Sequence, residues 1–257
     1  YGALNAQNFT TATQTYNTAV GAEAGGAVTT GTSNTFIGAL SGDAVTVGYN
    51  NAALGMHSLG SDTTGRGSTA VGVSALQSQN FTGNETSNNT AVGFQAGLNV
   101  TTGVQNTLIG AIAGDALTTG EHNVALGYGA LSTDDVGNHS VAVGHGGNAI
   151  TTGITNTLIG TFAGDALTDS DENVAVGSYA LTADTLGKKS TAVGHGALAH
   201  QNFTTATDGN NTAVGYVAGN LITTGLFNVC VGAFAGDALT DADGNVAIGR
   251  HALGADS

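Results

Sequence analysis

The chain has no proline, no tryptophan and a single cysteine, and its 257 residues include only four Lys plus Arg against eighteen Asp plus Glu. Each shortage excludes something. A formal net charge of −14 excludes a nucleic-acid surface, because phosphate binding needs clustered cations to displace counterions. The same balance excludes docking on an anionic membrane. No run of about 18 apolar residues occurs, and the opening residues YGALNAQNFT lack both the basic start and the apolar stretch of a secretory signal. They begin in mid-repeat, which predicts a section of a longer protein. One cysteine allows no intrachain disulfide. Cys230 stands at a repeat position otherwise held by Ala, Leu or Phe, so a buried small hydrophobe is expected. Aromatic residues at 5% and charged residues at 9% leave small side chains to do the packing, and these fill only a thin core between closely spaced strand layers.

What the chain does have is repetition. The segment NTLIGAIAGDALT from Asn106 returns as NTLIGTFAGDALT from Asn156, as NVCVGAFAGDALT from Asn228, and more loosely as NTFIGALSGDAVT from Asn34. Aligned on [N/S]-x-x-[V/I/L]-G, copies start at Asn17, Asn34, Asn51, Ser68, Asn89, Asn106, Asn123, Ser140, Asn156, Asn173, Ser190, Asn211, Asn228 and Asn245. Most steps are 17 residues, two are 21 and one is 16. Four kinds of copy alternate, and the four-residue insert (QNFTGNETSNN, QNFTTATDGNN) always follows the fourth kind, STAVGxxAL. Around Ser140 a fourth-kind opening runs into a first-kind ending, and the short step marks a fused or lost copy.

Seventeen residues with a central Gly are too few for a helical hairpin, and Thr/Val, Ala and Val/Ile before the Gly are strand chemistry. Each copy therefore predicts one coil: a short strand, a Gly turn, a second extended piece and a return loop. Residues 1–257 read as one all-β repeat domain, a parallel β-solenoid of about 15 coils. The Gly closing each strand predicts a backbone angle or close approach that excludes a Cβ. A Leu after the Ala (Leu59, Leu76, Leu131, Leu181, Leu198, Leu253) alternates with an apolar residue three places on (Val28, Val45, Val100, Leu117, Leu167, Leu239), as two plugs for one interior slot. Stacked Asn or Ser at the first position is expected to hydrogen-bond along the axis. Strands apolar on both faces are buried on both. One coil covers one face, so a neighbouring chain is the simplest cover for the other.

The words STAVGHGAL, NVAVGSYAL, NVAIGRHAL and NTAVGYVAG resemble the head repeats of trimeric autotransporter adhesins, in which [N/S]-x-A-[I/V]-G-x-x-A marks each coil of a left-handed parallel β-roll. Similar arrays occur in tail-fibre and surface-fibre proteins of bacteriophages and marine bacteria. The resemblance implies a homotrimer exposed outside the cell or virion, with a host or cell-surface receptor that includes glycans among its candidates.

The acidic loops Asp165, Asp169, Asp171 and Asp237, Asp241, Asp243 partly match the ligand spacing of a calcium loop, without its closing bidentate Glu. Solvated turn residues are the alternative. His145 and His195 share a register but stand three coils apart, on the order of 14 Å, too far to share a metal within one chain. No segment is unique enough to be an active site, so no catalytic or cofactor-binding residue is expected. The sequence thus predicts a non-enzymatic structural and adhesive fibre segment, as a phage tail fibre or a bacterial surface adhesin. A calcium-stiffened, glycan-binding or glycan-cleaving tailspike is the alternative.

Overall fold

The computed structural model describes residues 1–83 and 85–254. It is all-β, a parallel β-solenoid, and it divides into two units, Tyr1–Val136 and Gly137–Ser257. In the first unit the sheet is built from β1 (Thr18–Val20), β2 (Thr35–Ile37), β3 (Ala52–Leu54), β4 (Thr69–Val71), β5 (Thr90–Val92), β6 (Thr107–Ile109) and β7 (Val124–Leu126). Each pairs in parallel with the next, so Val20, Ile37 and Leu54 form one column, as do Thr90 and Thr107. The second unit repeats this with β8 (Val141–Val143), β9 (Thr157–Ile159), β10 (Val174–Val176), β12 (Thr191–Val193), β14 (Thr212–Val214), β15 (Val229–Val231) and β16 (Val246–Ile248). Between them β11 (Gly187–Lys188) pairs with β13 (Thr207–Asp208) in a separate two-stranded ladder.

Each strand sends its third-position residue inward. Phe36, Ala53, Ala70, Leu108, Leu158 and Ala192 are completely buried. Both expected plugs are buried as well, Leu59, Leu76 and Leu198 in one kind of coil, Val45, Val100 and Leu117 in the other. They do share a slot: a Cβ placed on Gly97 would lie 2.9 Å from Leu76 Cδ2 and 3.3 Å from Val100 Cγ2. Cys230 lies in this interior column between Ala213 and Ala247, and burial pushes its thiol pKa up. The fourth-position Val, Ile and Leu take the opposite side. With the second-position residues they face outward, because successive side chains of a strand alternate between faces.

The closing glycines stack on one another. Gly110 has φ +137°, and a Cβ there would sit 2.2 Å from the Gly127 carbonyl oxygen of the next coil. Both expected reasons for glycine are therefore present.

The second extended piece is a correction. Beyond the Gly the chain runs in turns rather than as a strand, because it enters the left-handed region, as at Leu40 (φ 56°), Ile112 (φ 51°) and Val217 (φ 58°). Continuous strand pairing is lost there, but coil-to-coil bonding is not: the amides of Gly25, Ala27 and Thr29 donate to the carbonyls of Ser41, Asp43 and Thr46 at 2.9, 3.0 and 2.9 Å. Among the described residues, extra extended pairing occurs where an insert lies against an earlier coil, β13 on β11 and Thr86 on Arg66. The layer opposite the sheet is thus a hydrogen-bonded stack of turns.

Candidate functional site

Three arrangements along the coils bear on function. The first is internal. Asn106 Nδ2 donates to the Gly120 carbonyl at 2.8 Å, while its Oδ1 accepts the Asn123 amide at 2.9 Å. The same pair of bonds recurs at Asn34 (Gly48 O, Asn51 N) and Asn156 (Ser170 O, Asn173 N). The predicted Asn column is real and nearly all of it is buried.

At Ser68 and Ser190, where the column changes to Ser ahead of a 21-residue step, the insert that follows supplies the missing amide. Gln79 fills the place of an Asn amide: its Nε2 donates to Ser68 Oγ at 2.9 Å and to Asp62 Oδ2 at 2.6 Å, and its Oε1 accepts from Asn89 Nδ2 at 2.9 Å. Asp62 Oδ1 accepts the amides of Gly65 and Phe81 at 2.9 and 3.2 Å. In the second unit Asp184, Gln201, Ser190 and Asn211 repeat the arrangement with Gly187 and Phe203. Asp62 and Asp184 are wholly buried without a cationic partner. Burial pushes the Asp62 carboxyl pKa up, and the bonds from Gln79, Gly65 and Phe81 only partly oppose this. Sequence reading missed both aspartates. The signal was available in the Asp eleven residues into each third-kind copy, Asp62, Asp134 and Asp184, ahead of QNF in two of the three.

The second arrangement comprises the acidic loops. Asp169 Oδ1 accepts from Thr152 Oγ1 at 3.0 Å, Asp171 Oδ1 accepts the Ile154 amide at 3.0 Å, and Asp171 Oδ2 meets Lys188 Nζ at 2.5 Å. The Lys188 ammonium pKa is raised first of all by that bond. Asp243 Oδ1 accepts the Leu226 amide at 2.7 Å, and Asp241 Oδ1 accepts from Thr240 Oγ1 at 3.1 Å. Asp165 and Asp237, like their equivalents Asp43 and Asp115, turn one carboxylate oxygen into the coil, where it is buried without a hydrogen-bond donor. The carboxylates of Asp169, Asp171, Asp241 and Asp243 are therefore spent one by one on the preceding coil, on a neighbouring hydroxyl or on a lysine. Among the described residues no group of three or more His, Cys, Asp or Glu is placed to hold a metal ion.

The third is the outer surface. Every second and fourth strand position in both units is Thr, Ala, Val, Ile or Leu, so the outward sheet face carries no charge. In each unit the fourth-position column meets solvent in the single chain, with Leu54 at 37% exposure in the first and Ile248 at 68% in the second.

Beside this face, in the second unit, runs a column of rings that the sequence reading did not find. His145 meets Phe162 edge to face at 5.5 Å, and Phe162 lies at 5.4 Å from Tyr179 with planes 33° apart. Tyr179 and His195 are 5.9 Å apart, edge to face; His195 and Tyr216 stack at 5.4 Å. Tyr216 then meets Phe234 edge to face at 5.3 Å, and Phe234 stacks on His251 at 4.9 Å. One ring comes from every coil of the unit. It was hidden because it comes from the first residue after the Gly in some coils (His145, His195, Tyr216) and from the second in others (Phe162, Tyr179, Phe234, His251). Treating the two positions as one slot would have exposed it. His145 and His195 do share a register, but the intervening rings make the column aromatic rather than metal-binding. No protein-family model matches this chain, and no curated protein matches it.

Proposed function

We propose that the chain is a non-enzymatic structural and adhesive segment of an extracellular fibre, a shaft or head that works as a parallel homotrimer on a virion or a bacterial surface. The observation that carries this reading is the outward sheet face of each unit: two side-chain columns without charge, their aliphatic members exposed or half-exposed in a single chain of net charge −14. Exposed contiguous apolar surface marks association sites. A face that repeats coil after coil within each unit matches the same face of a parallel copy, and closed symmetry stops growth at a small number of copies. The resemblance to adhesin heads supplies the number three. Function then rests on repetition, since loops of like kind recurring along the coils and on every copy make weak contacts additive.

The test is mass by light scattering together with particle images. A mass of three chains in an elongated particle is expected. Lysine at Ile37 and Ile109, whose side chains face outward, should shift the mass toward one chain while each solenoid keeps its circular dichroism spectrum. A compact single chain in solution would refute the fibre reading.

A further inference from the structure

The second unit spends one ring per coil on its column, and the fold does not require it. In the first unit rings reach the same two turn positions only at His57, Phe94 and Tyr128, never in two consecutive coils; Ala22-Glu23, Ala39-Leu40, Val73-Ser74 and Ala111-Ile112 hold none, yet the ringless coils carry the same strands and the same Asn bonds. An unbroken run of rings, one in every coil of the second unit where alternate or no rings suffice for the same coil elsewhere, calls for a reason other than stability.

We infer that the ring column of the second unit is a binding strip for a linear, neutral polysaccharide, laid along the coils with about one sugar per coil. The inference rests on the adhesive reading and names its ligand and its site. Rings follow one another at 4.9 to 5.9 Å, close to the advance of one hexose in an extended chain. They are not used up on one another. His195 with Tyr216 and Phe234 with His251 form stacked pairs, at 23° and 3°, and Phe162 with Tyr179 a tilted one, at 33°. Successive pairs are turned by 65° and 76°. At each edge-to-face step one ring lends only its edge, which leaves its faces turned sideways for the apolar C–H side of a sugar. Tyr179 and Tyr216 are 45% and 53% exposed. Neither of their hydroxyls bonds a described residue, so both are free for sugar hydroxyls. Aromatic groups with a wet polar end are suited to such a mixed surface. The strip carries no carboxylate or ammonium, and the negative charge of the chain disfavours anionic glycans, so the ligand is neutral.

The experiment is calorimetric titration of the whole chain with β-1,4-linked glucan and mannan hexaoses and the matching trioses. Near-ultraviolet tyrosine dichroism is followed in parallel. At least one hexaose should bind, at least about tenfold tighter than its triose, because added sugars engage added rings, and should perturb the tyrosine signal. Tyr179→Ala with Tyr216→Ala should weaken it by at least about tenfold. Tyr216→Leu, which keeps apolar bulk without a ring, should also weaken it and guards against misfolding of the double variant. No heat with any of the four probes at millimolar concentration, equal affinity for triose and hexaose, or unchanged affinity in folded ring variants would each overturn the inference. A three-chain fibre that fails these tests sinks the strip alone; a compact monomer sinks the adhesive fibre itself.

Discussion

Asn106 gives the sharpest test of the stacked-coil account. The side chain is almost fully buried and makes two bonds: Nδ2 to the Gly120 carbonyl at 2.8 Å, and Oδ1 from the Asn123 amide at 2.9 Å. Asn106→Ala strands both partners. A buried polar group left without its partner costs about 1–3 kcal/mol, so the pair is worth about 2–6 kcal/mol, less whatever an entering water recovers. Asn106→Ser should recover part of this, since Ser140 Oγ already accepts the Asn156 amide, though at a longer 3.3 Å. It leaves the Gly120 carbonyl unpaired and should cost about 1–3 kcal/mol. Asn106→Asp accepts the amide but turns lone pairs on that carbonyl and buries a charge, so it should be at least as damaging as Ala. Asn99, exposed in the preceding coil, is the control, and Asn99→Ala should stay within about 0.5 kcal/mol. Urea unfolding with a shared m-value reads the series, and hydrogen exchange at the Asn123 amide reads the broken bond directly. Asn106→Ala within about 0.5 kcal/mol of the parent, with that amide still protected, would refute the claim that the Asn column holds the coils in register.

Gly110→Ala should be among the most damaging small substitutions, about 3 kcal/mol or more, because its methyl would sit 2.2 Å from the Gly127 carbonyl; calorimetry or loss of soluble protein would show it. Val217→Asn should raise the unfolding midpoint by the equivalent of about 1 kcal/mol, since a β-branched residue is held at φ 58°, where Asn is better tolerated. The raised pKa of Asp62 fixes the sign of a pH effect: its neutral form is favoured in the folded chain, so its contribution is full below the ordinary carboxylate range and is lost as pH rises through the folded pKa. Acidification from neutral pH through that window should therefore raise the melting temperature more in the parent than in Asp62→Asn. The variant should also be less stable at every pH, because an amide cannot accept from Gly65, Phe81 and Gln79 together.

Much of the fold was legible because the sequence repeats. The 17-residue step, the Gly after every strand and the alternating plugs such as Leu76 and Val100 each carry their own geometric meaning, and repetition multiplied a weak local signal. The turns were less legible. Left-handed residues such as Ile112 and Val217 have no propensity for that conformation, and only the coil-to-coil hydrogen bonds above and below hold them there. Site residues divided in the same way. The acidic loops were visible as spacing, yet spacing along the chain does not tell that Asp171 turns to Lys188 and the Ile154 amide, because that depends on which residue lies one coil away.

By itself the sequence determined the period, the strand positions and the parallel register, since these follow from spacing and side-chain size. Tertiary structure alone decided which strand face is core and which is open, because a face apolar on both sides gives no sign of its direction. It also decided what stands above what at positions that slip by one residue. The ring column of the second unit and the buried Asp62 and Asp184 networks exist only through that vertical neighbourhood: residues some seventeen apart in sequence touch in space once one coil closes over the next.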